Sequence, residues 1–479
     1  MKRMLKRLVR INSFAFVLVL FVRYASGQTP WLENKYPAIL YSPNDSFAVK
    51  FSYTSDKFYL QFKDKDTVDM GGDGAAGLFA TIFYGKDSVN IPYNNLPFTE
   101  VYWINLQSPK ARTVYLLHFN KVTASFTEEY IHQNTNNTQF EIPEVYELAN
   151  IIWTLSPSGQ RANNLNKEGD YYKKVMAYFK PYLNHPLFKK LDFPEDDYMD
   201  KYYDFRENSF CYSFNNDKIE IKGPYYYVSG KNWENHNSLF KELLPLTDDF
   251  AEKSSFRKFY KDNEEYYNAQ IKEEEIIMPV KKMWAWLEDQ FPDRYNSYKV
   301  VFSPLISASH STQNFGTFIN NTYFSETVMF VAGPGIFEKD KQITARQKEG
   351  LASGIVFTEI DHNYVNPISY KYNKLIDSIF TRRDIWTSSG GDTKFYDNPM
   401  AVFNEYMTHA VFCLYILDNY DQTDADFIIK VRESLMVNVR HYIKFKEFNQ
   451  TLIDLYKKDR NTKVSLLYDQ ILRWCRTQI

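Results

Sequence analysis

The sequence predicts an α+β protein with a β-rich amino-terminal region, a mainly helical middle and a carboxy-terminal region of sheet plus helices. Three observations carry this. Apolar and polar residues alternate from Phe47 to Tyr53 and again from Phe58 to Phe62, the period of a half-buried strand. From Pro143 onward, Val145, Leu148, Ile151, Ile152 and Leu155 fall on one helical stripe. After residue 296, two short apolar strand-like stretches precede a run of helices. The expected boundaries are 1–27 for a signal peptide, 28–140 for the β-rich domain, 141–295 for the helical middle and 296–479 for the last region.

The amino terminus reads as an export signal. Lys2, Arg3, Lys6, Arg7 and Arg10 give a positive start, Phe14 to Val22 is an unbroken apolar run, and Ala25, Ser26 and Gly27 are small. That order predicts cleavage before Gln28 and a secreted or periplasmic protein. The run is shorter than the roughly 20 residues a membrane span needs, so no stable membrane anchor is expected. The chain has 57 Lys and Arg against 59 Asp and Glu, a formal net charge of -2, which leaves no electrostatic footprint for nucleic acid. Cys211, Cys413 and Cys475 are too few and too scattered for a disulfide framework, and Cys413 reads as a small core residue. The glycines from Gly71 to Gly77 lack the Gly-Lys-Ser/Thr ending of a phosphate loop and read as a turn.

The remaining elements follow in order. Helices are expected from Tyr171 to Leu183, from Phe256 to about Ile276 and from Met283 to Phe291, with short strands near 200 to 230. Val300 to Ile306 and Gly316 to Ala332 read as strands. Gln342 to about Tyr364 reads as a helix stopped by Asn366 and Pro367, followed by helices from Tyr370 to Phe380 and from Met400 to about Leu417, with three more behind them.

The chemistry-bearing cluster is Thr358-Glu359-Ile360-Asp361-His362, at the expected end of the first of those helices. It departs by one residue from H-E-x-x-H, in which two His four apart hold zinc and the Glu between them activates a metal-bound water. Thr358 stands where the first His would be. Glu359 keeps the position of the catalytic base and His362 that of a metal ligand. Glu405 follows on a later helix, where a third, carboxylate ligand would come from, and His409 lies four residues further on the same face. His409 or His310 could replace the missing His. Glu359 itself could instead turn ligand with His362, Glu405 and His409, an oxygen and nitrogen set that also suits iron or manganese. The plain structural alternative is a solvated helix end on which His362 meets the helix dipole. Tyr364 and Tyr406 could donate to an oxyanion or simply pack.

The stretch from Val356 to Pro367 resembles the motif region of an uncharacterised bacterial domain-of-unknown-function family of secreted, gluzincin-like proteins, here with a degenerate motif. Ile142 to Trp153, His185-Pro186 and Val301 to Leu305 are similar to upstream landmarks of the same family, so the resemblance covers roughly Ile142 to Leu417. It implies a zincin-like fold, a short sheet backed by one helix with the motif and a second bearing a ligand. It also implies Glu359 as base, with His362 and Glu405 as ligands. The cofactor so implied is zinc, another divalent metal, or none where the site has degenerated. Two functions follow: a secreted metallopeptidase-like hydrolase acting on a peptide or protein substrate, or a non-catalytic pseudoenzyme binding peptide or glycan on the same fold.

Overall fold

The computed structural model describes residues 124–221, 223–225, 238–319, 322–337, 342–390, 393, 396 and 398–479, and before them only separate strand segments between Pro37–Tyr41 and Arg112–Phe119. The expected signal peptide lies outside the described residues, as does most of the expected β-rich domain over 28–140.

The chain is mixed α/β. Its central sheet is built from β1 (Asn137–Glu141), β2 (Ser297–Ser303), β3 (Ser311–Ile319) and β4 (Thr322–Ala332), in the order β3-β4-β2-β1. β2 runs parallel to both β1 and β4, and β3 pairs antiparallel with β4. The strand just before the helical middle therefore joins strands that follow residue 296. β2 is buried along its whole length, as a strand covered on both faces must be.

Alternation along the strands sorts the two faces. On one, α1 (Glu144–Leu155) stacks Tyr146 on Phe330 at 5.6 Å. Beside it, α2 (Tyr198–Ser209) sets Arg206 and Glu207 against Ser311 and Gln313 of β3. On the other face, Trp284 of α3 (Val280–Gln290) and Tyr364 of α4 (Ala345–Tyr370) meet Tyr298 of β2. Outside α4 pack α5 (Pro399–Asn419), through Phe357 on Phe412 and Tyr415, and α6 (Gln422–Asn438). Then come α7 (Phe445–Lys458) and α8 (Tyr468–Arg476). α5 is long and apolar enough to span a membrane by composition, but 83% of that stretch is buried in the protein, which makes it a core helix. Cys211, Cys413 and Cys475 are all free and buried.

Two expected elements are corrected. Residues Tyr198–Ser209 form a helix, and among the described residues the strands expected near 200–230 are Tyr212–Asn215 and Lys218–Ile221. Every residue from Tyr202 to Ser209 is buried, so the polar face that marks a helical period is absent and tyrosine's strand preference misleads. The second correction is the length of α4. It starts with a reciprocal cap between Thr344 and Gln347, but it continues through Pro367 to Tyr370.

Proline in a helix leaves the carbonyl four residues earlier without its N–H partner. Here that carbonyl belongs to Asn363, and the Tyr295 hydroxyl donates to it at 2.8 Å. The breaker is thus neutralised from outside the helix. Tyr295→Phe should lower stability by about 0.5–1.5 kcal/mol, the net worth of a part-buried hydrogen bond. Chemical denaturation of Tyr295→Phe against the parent measures it. An unchanged midpoint would mean that the helix tolerates Pro367 unaided.

Candidate functional site

The extension of α4 moves the Thr358–His362 cluster from a helix end to mid-helix, which removes the helix-end alternative for His362. Thr358 is buried, and its hydroxyl donates back along its own helix, 3.1 Å from the Gly354 carbonyl and 3.2 Å from that of Ile355. Serine and threonine commonly satisfy themselves this way inside helices. The residue in the first ligand position is therefore turned to its own backbone.

Glu359 faces the sheet. Its Oε2 accepts from the Thr312 hydroxyl of the edge strand β3 at 2.9 Å. Burial raises its carboxyl to about 7, while the neighbouring His362 and the Thr312 hydrogen bond pull the other way. A carboxyl near neutrality is the tuning a general base needs. Asp361, two residues on, is fully buried and held far above the carboxylate range by burial and then by Glu405.

The structure brings His362, Glu405 and His409 together. His362 Nε2 lies 3.3 Å from Glu405 Oε1, and His409 Nε2 lies 3.5 Å from Glu405 Oε2. α5 delivers Glu405 and His409 from one face, four residues apart, against α4. His362 Nδ1 is 3.3 Å from Asn366 Oδ1 and 3.5 Å from Thr408 Oγ1. Its side chain retains 18% exposure, whereas that of Glu405 has 1%.

Two arginines absent from the sequence-based site complete it. Arg440, just beyond α6, places Nη2 2.8 Å from Glu405 Oε2 and 3.0 Å from the Tyr396 hydroxyl, and its Nη1 contacts His409 Nε2. Arg432 of α6 places Nη1 2.9 Å from His409 Nδ1. Both side chains are buried. Burial alone would raise the Glu405 carboxyl, but Arg440 beside it and the His362 and His409 hydrogen bonds hold it well below the usual range. Burial and the flanking cations push His409 down to about 3, so its imidazole is neutral. Room for Arg432 comes from Gly354: a Cβ there would overlap the guanidinium and lie 2.9 Å from Phe412 Cζ. Arg432 occupies the stripe of α6 shared with Ile428, Leu435 and Met436, and an arginine on a core stripe is the signal that could have revealed it. His310, the other candidate for the missing His, is buried with its Nδ1 3.3 Å from the Ala332 amide. Tyr406 packs inside, with its hydroxyl on the Trp386 carbonyl at 2.6 Å.

As they stand, these residues do not fit the zinc that the resemblance implies. The carboxylate meant as third ligand is bound by a guanidinium, and both ring nitrogens of His409 face arginines. Among the described residues, no group of three His, Cys, Asp or Glu is arranged to hold a metal ion. No protein-family model, curated protein or solved structure matches the chain.

Proposed function

We propose that the chain is a secreted, zincin-like protein whose site binds a peptide or glycan without hydrolysing it, because an arginine has taken the metal's position. One observation supports this reading above the others: the Arg440 guanidinium on Glu405 at 2.8 Å, in contact with His409 as well. A buried cation there supplies the charge that a metal would, so Glu405 stays ionised. A guanidinium has no open coordination position and delivers no hydroxide, so Glu359 has no metal-bound water to deprotonate. What is left of the motif is Glu359, buried and accepting from the Thr312 hydroxyl, beside a His362 side chain that keeps 18% exposure, and the ligand would meet the protein at that His362 edge.

A second reading is a metal-dependent peptide hydrolase, and the observation favouring it is the Glu359 carboxyl raised to about 7. One experiment separates the two. The mature protein, purified from its host without chelator, is analysed for metals and assayed against a mixed peptide library with and without added zinc. The binding reading expects substoichiometric metal and no cleavage. Cleavage that disappears in Glu359→Gln, or about one tightly held metal per chain, would overturn it.

A further inference from the structure

Away from the motif cluster, a serine and a histidine meet near the surface. Ser388 Oγ lies 3.0 Å from His441 Nδ1, and the pair is part-buried. The next two residues, Ser389 and Gly390, are exposed, so a molecule in solvent can reach the pair. Two segments far apart in sequence form it: the turn after α6 brings His441, and the segment after Trp386 brings Ser388. Their backbones are clipped together around the pair. The Ser388 amide donates to the His441 carbonyl at 3.1 Å, the Ile443 amide to the Trp386 carbonyl at 3.1 Å, and Thr387 bridges Tyr442. His441 is held at φ 64°, a left-handed conformation uncommon for a residue with a side chain. Such strain persists only where the surroundings enforce it, and it gathers at working sites.

The pair has the polarity of a nucleophile with its base. Among the described residues, His441 Nδ1 is the acceptor the Ser388 hydroxyl has, and when that hydroxyl donates the ring proton sits on Nε2. The arc after Ser388 is set for the other half of the chemistry. Thr393 Oγ1 lies 3.0 Å from the Ser388 carbonyl oxygen and 2.8 Å from that of Gly390, which pins the arc from one side. A trans peptide directs its N–H opposite to its carbonyl, so the Ser389 N–H points away from Thr393. The amide one residue beyond a nucleophile is where acyl-transfer sites place a donor for the developing oxyanion. Gly390, at φ 113°, passes beside the imidazole: a Cβ there would lie 3.5 Å from His441 Cε1 and 3.7 Å from Nε2. Glycine lets the arc bend at that point and keeps a side chain off the ring.

We propose that Ser388 and His441 form a nucleophile–base dyad that hydrolyses carboxylic esters through an acyl-serine, at a second site that uses none of the motif residues. Ser388 Oγ bonds to the acyl carbon as its proton passes to His441 Nδ1. That proton then goes to the leaving alkoxide as the carbon–oxygen bond breaks, and an alcohol departs. Water, deprotonated by His441 Nδ1, attacks the acyl-serine, and the products are a carboxylic acid and the restored serine. An ester is the fitting class rather than an amide. An alkoxide leaves more readily than an amide nitrogen, and among the described residues no carboxylate backs His441 Nε2 to strengthen the base.

The test uses the full mature chain and a fluorophosphonate probe, which forms a stable Oγ–phosphorus bond with an activated serine and releases fluoride. Peptide mass spectrometry locates the adduct, and hydrolysis of p-nitrophenyl acetate is followed in parallel. The expected result is an adduct on Ser388 that forms at least ~100-fold faster in the folded protein than in the urea-unfolded chain, the scale of a positioned general base. His441→Gln should slow it by a comparable factor, and Ser388→Ala should take no adduct there and lose the ester hydrolysis of the parent. Comparing the folded with the unfolded parent needs no variant to fold. If Ser388 of the folded parent reacts no faster than in the unfolded chain, the dyad is overturned, and the Ser388–His441 bond is only a clip on the turn. Labelling of Ser388 that a folded His441→Gln leaves unchanged overturns His441 as the base, and the dyad with it.

Discussion

Glu405→Gln should destabilise the protein by about 3–5 kcal/mol, among the largest effects of any single substitution outside the apolar core. Glu405 is the one strongly ionised carboxylate in its cluster: Arg440 holds it well below the usual range, while Asp361 is pushed far above it and Glu359 to about 7. Removing its charge leaves the buried Arg432 and Arg440 facing only groups that prefer to be neutral. The cost should be recovered in large part by adding Arg440→Met, since deleting a buried pair is far cheaper than breaking it. Urea unfolding of the parent, both single variants and the double variant gives the coupling energy directly. A Glu405→Gln loss below about 1 kcal/mol would mean the pair is screened like a surface bridge. The pH dependence carries a definite sign. A carboxyl whose folded pKa is depressed contributes stability above its unfolded value, and that contribution is lost as pH falls through the folded one. The parent should therefore lose its advantage over Glu405→Gln in acid.

What the sequence made legible follows from where periodicity and spacing are informative. The motif helix and the later Glu405 helix follow from helical stripes, and the shared face of Glu405 and His409 from four-residue spacing; the approach of Glu405 to His362 was implied only by the resemblance to a zinc motif. The arginines escaped because the chain carries 57 Lys and Arg and most such residues are solvated. Only the joint facts that Arg432 rides a core stripe and that Gly354 leaves it room reveal it as buried, and the second fact exists only in three dimensions. Arg440 had no stripe at all, since it belongs to a turn. The extent of α4 was misjudged for a related reason. Pro367 is a local stop signal, and the group that cancels it, Tyr295, lies far away in sequence. Local rules read the chain well wherever the partner of a residue is one turn away. They fail where a buried polar group is answered from another element.

The last expected result concerns such a group on the opposite side of the sheet. Glu147 of α1 is fully buried, and its Oε1 accepts from the Tyr171 hydroxyl at 2.8 Å. Among the described residues no arginine or lysine answers it: burial raises its carboxyl to about 8, and the hydrogen bonds from Ser303 and Tyr171 offset only part of that. In the unfolded chain a glutamate titrates near 4.3. Between those values the folded state binds a proton that the unfolded state does not, so stability falls as pH rises, by up to about 1.4 kcal/mol per pH unit for this one group. The contribution is fully present below the unfolded value and gone above the folded one. Glu274 and Asp204, raised by burial as well, add to the same slope. His409 works against it: held down to about 3, it makes folding less favourable as pH falls below about 6.5. Comparing Glu147→Gln with the parent cancels these other groups. The amide keeps an acceptor for Tyr171 and cannot ionise. The variant should match the parent near pH 4–5 and exceed it increasingly toward pH 8, by several kcal/mol, on the order of the full linkage. Urea unfolding of both proteins at half-unit pH steps measures the difference. A difference that stays flat across that window would mean that Glu147 is ionised in the folded protein, with an unseen cation or water chain supporting its charge.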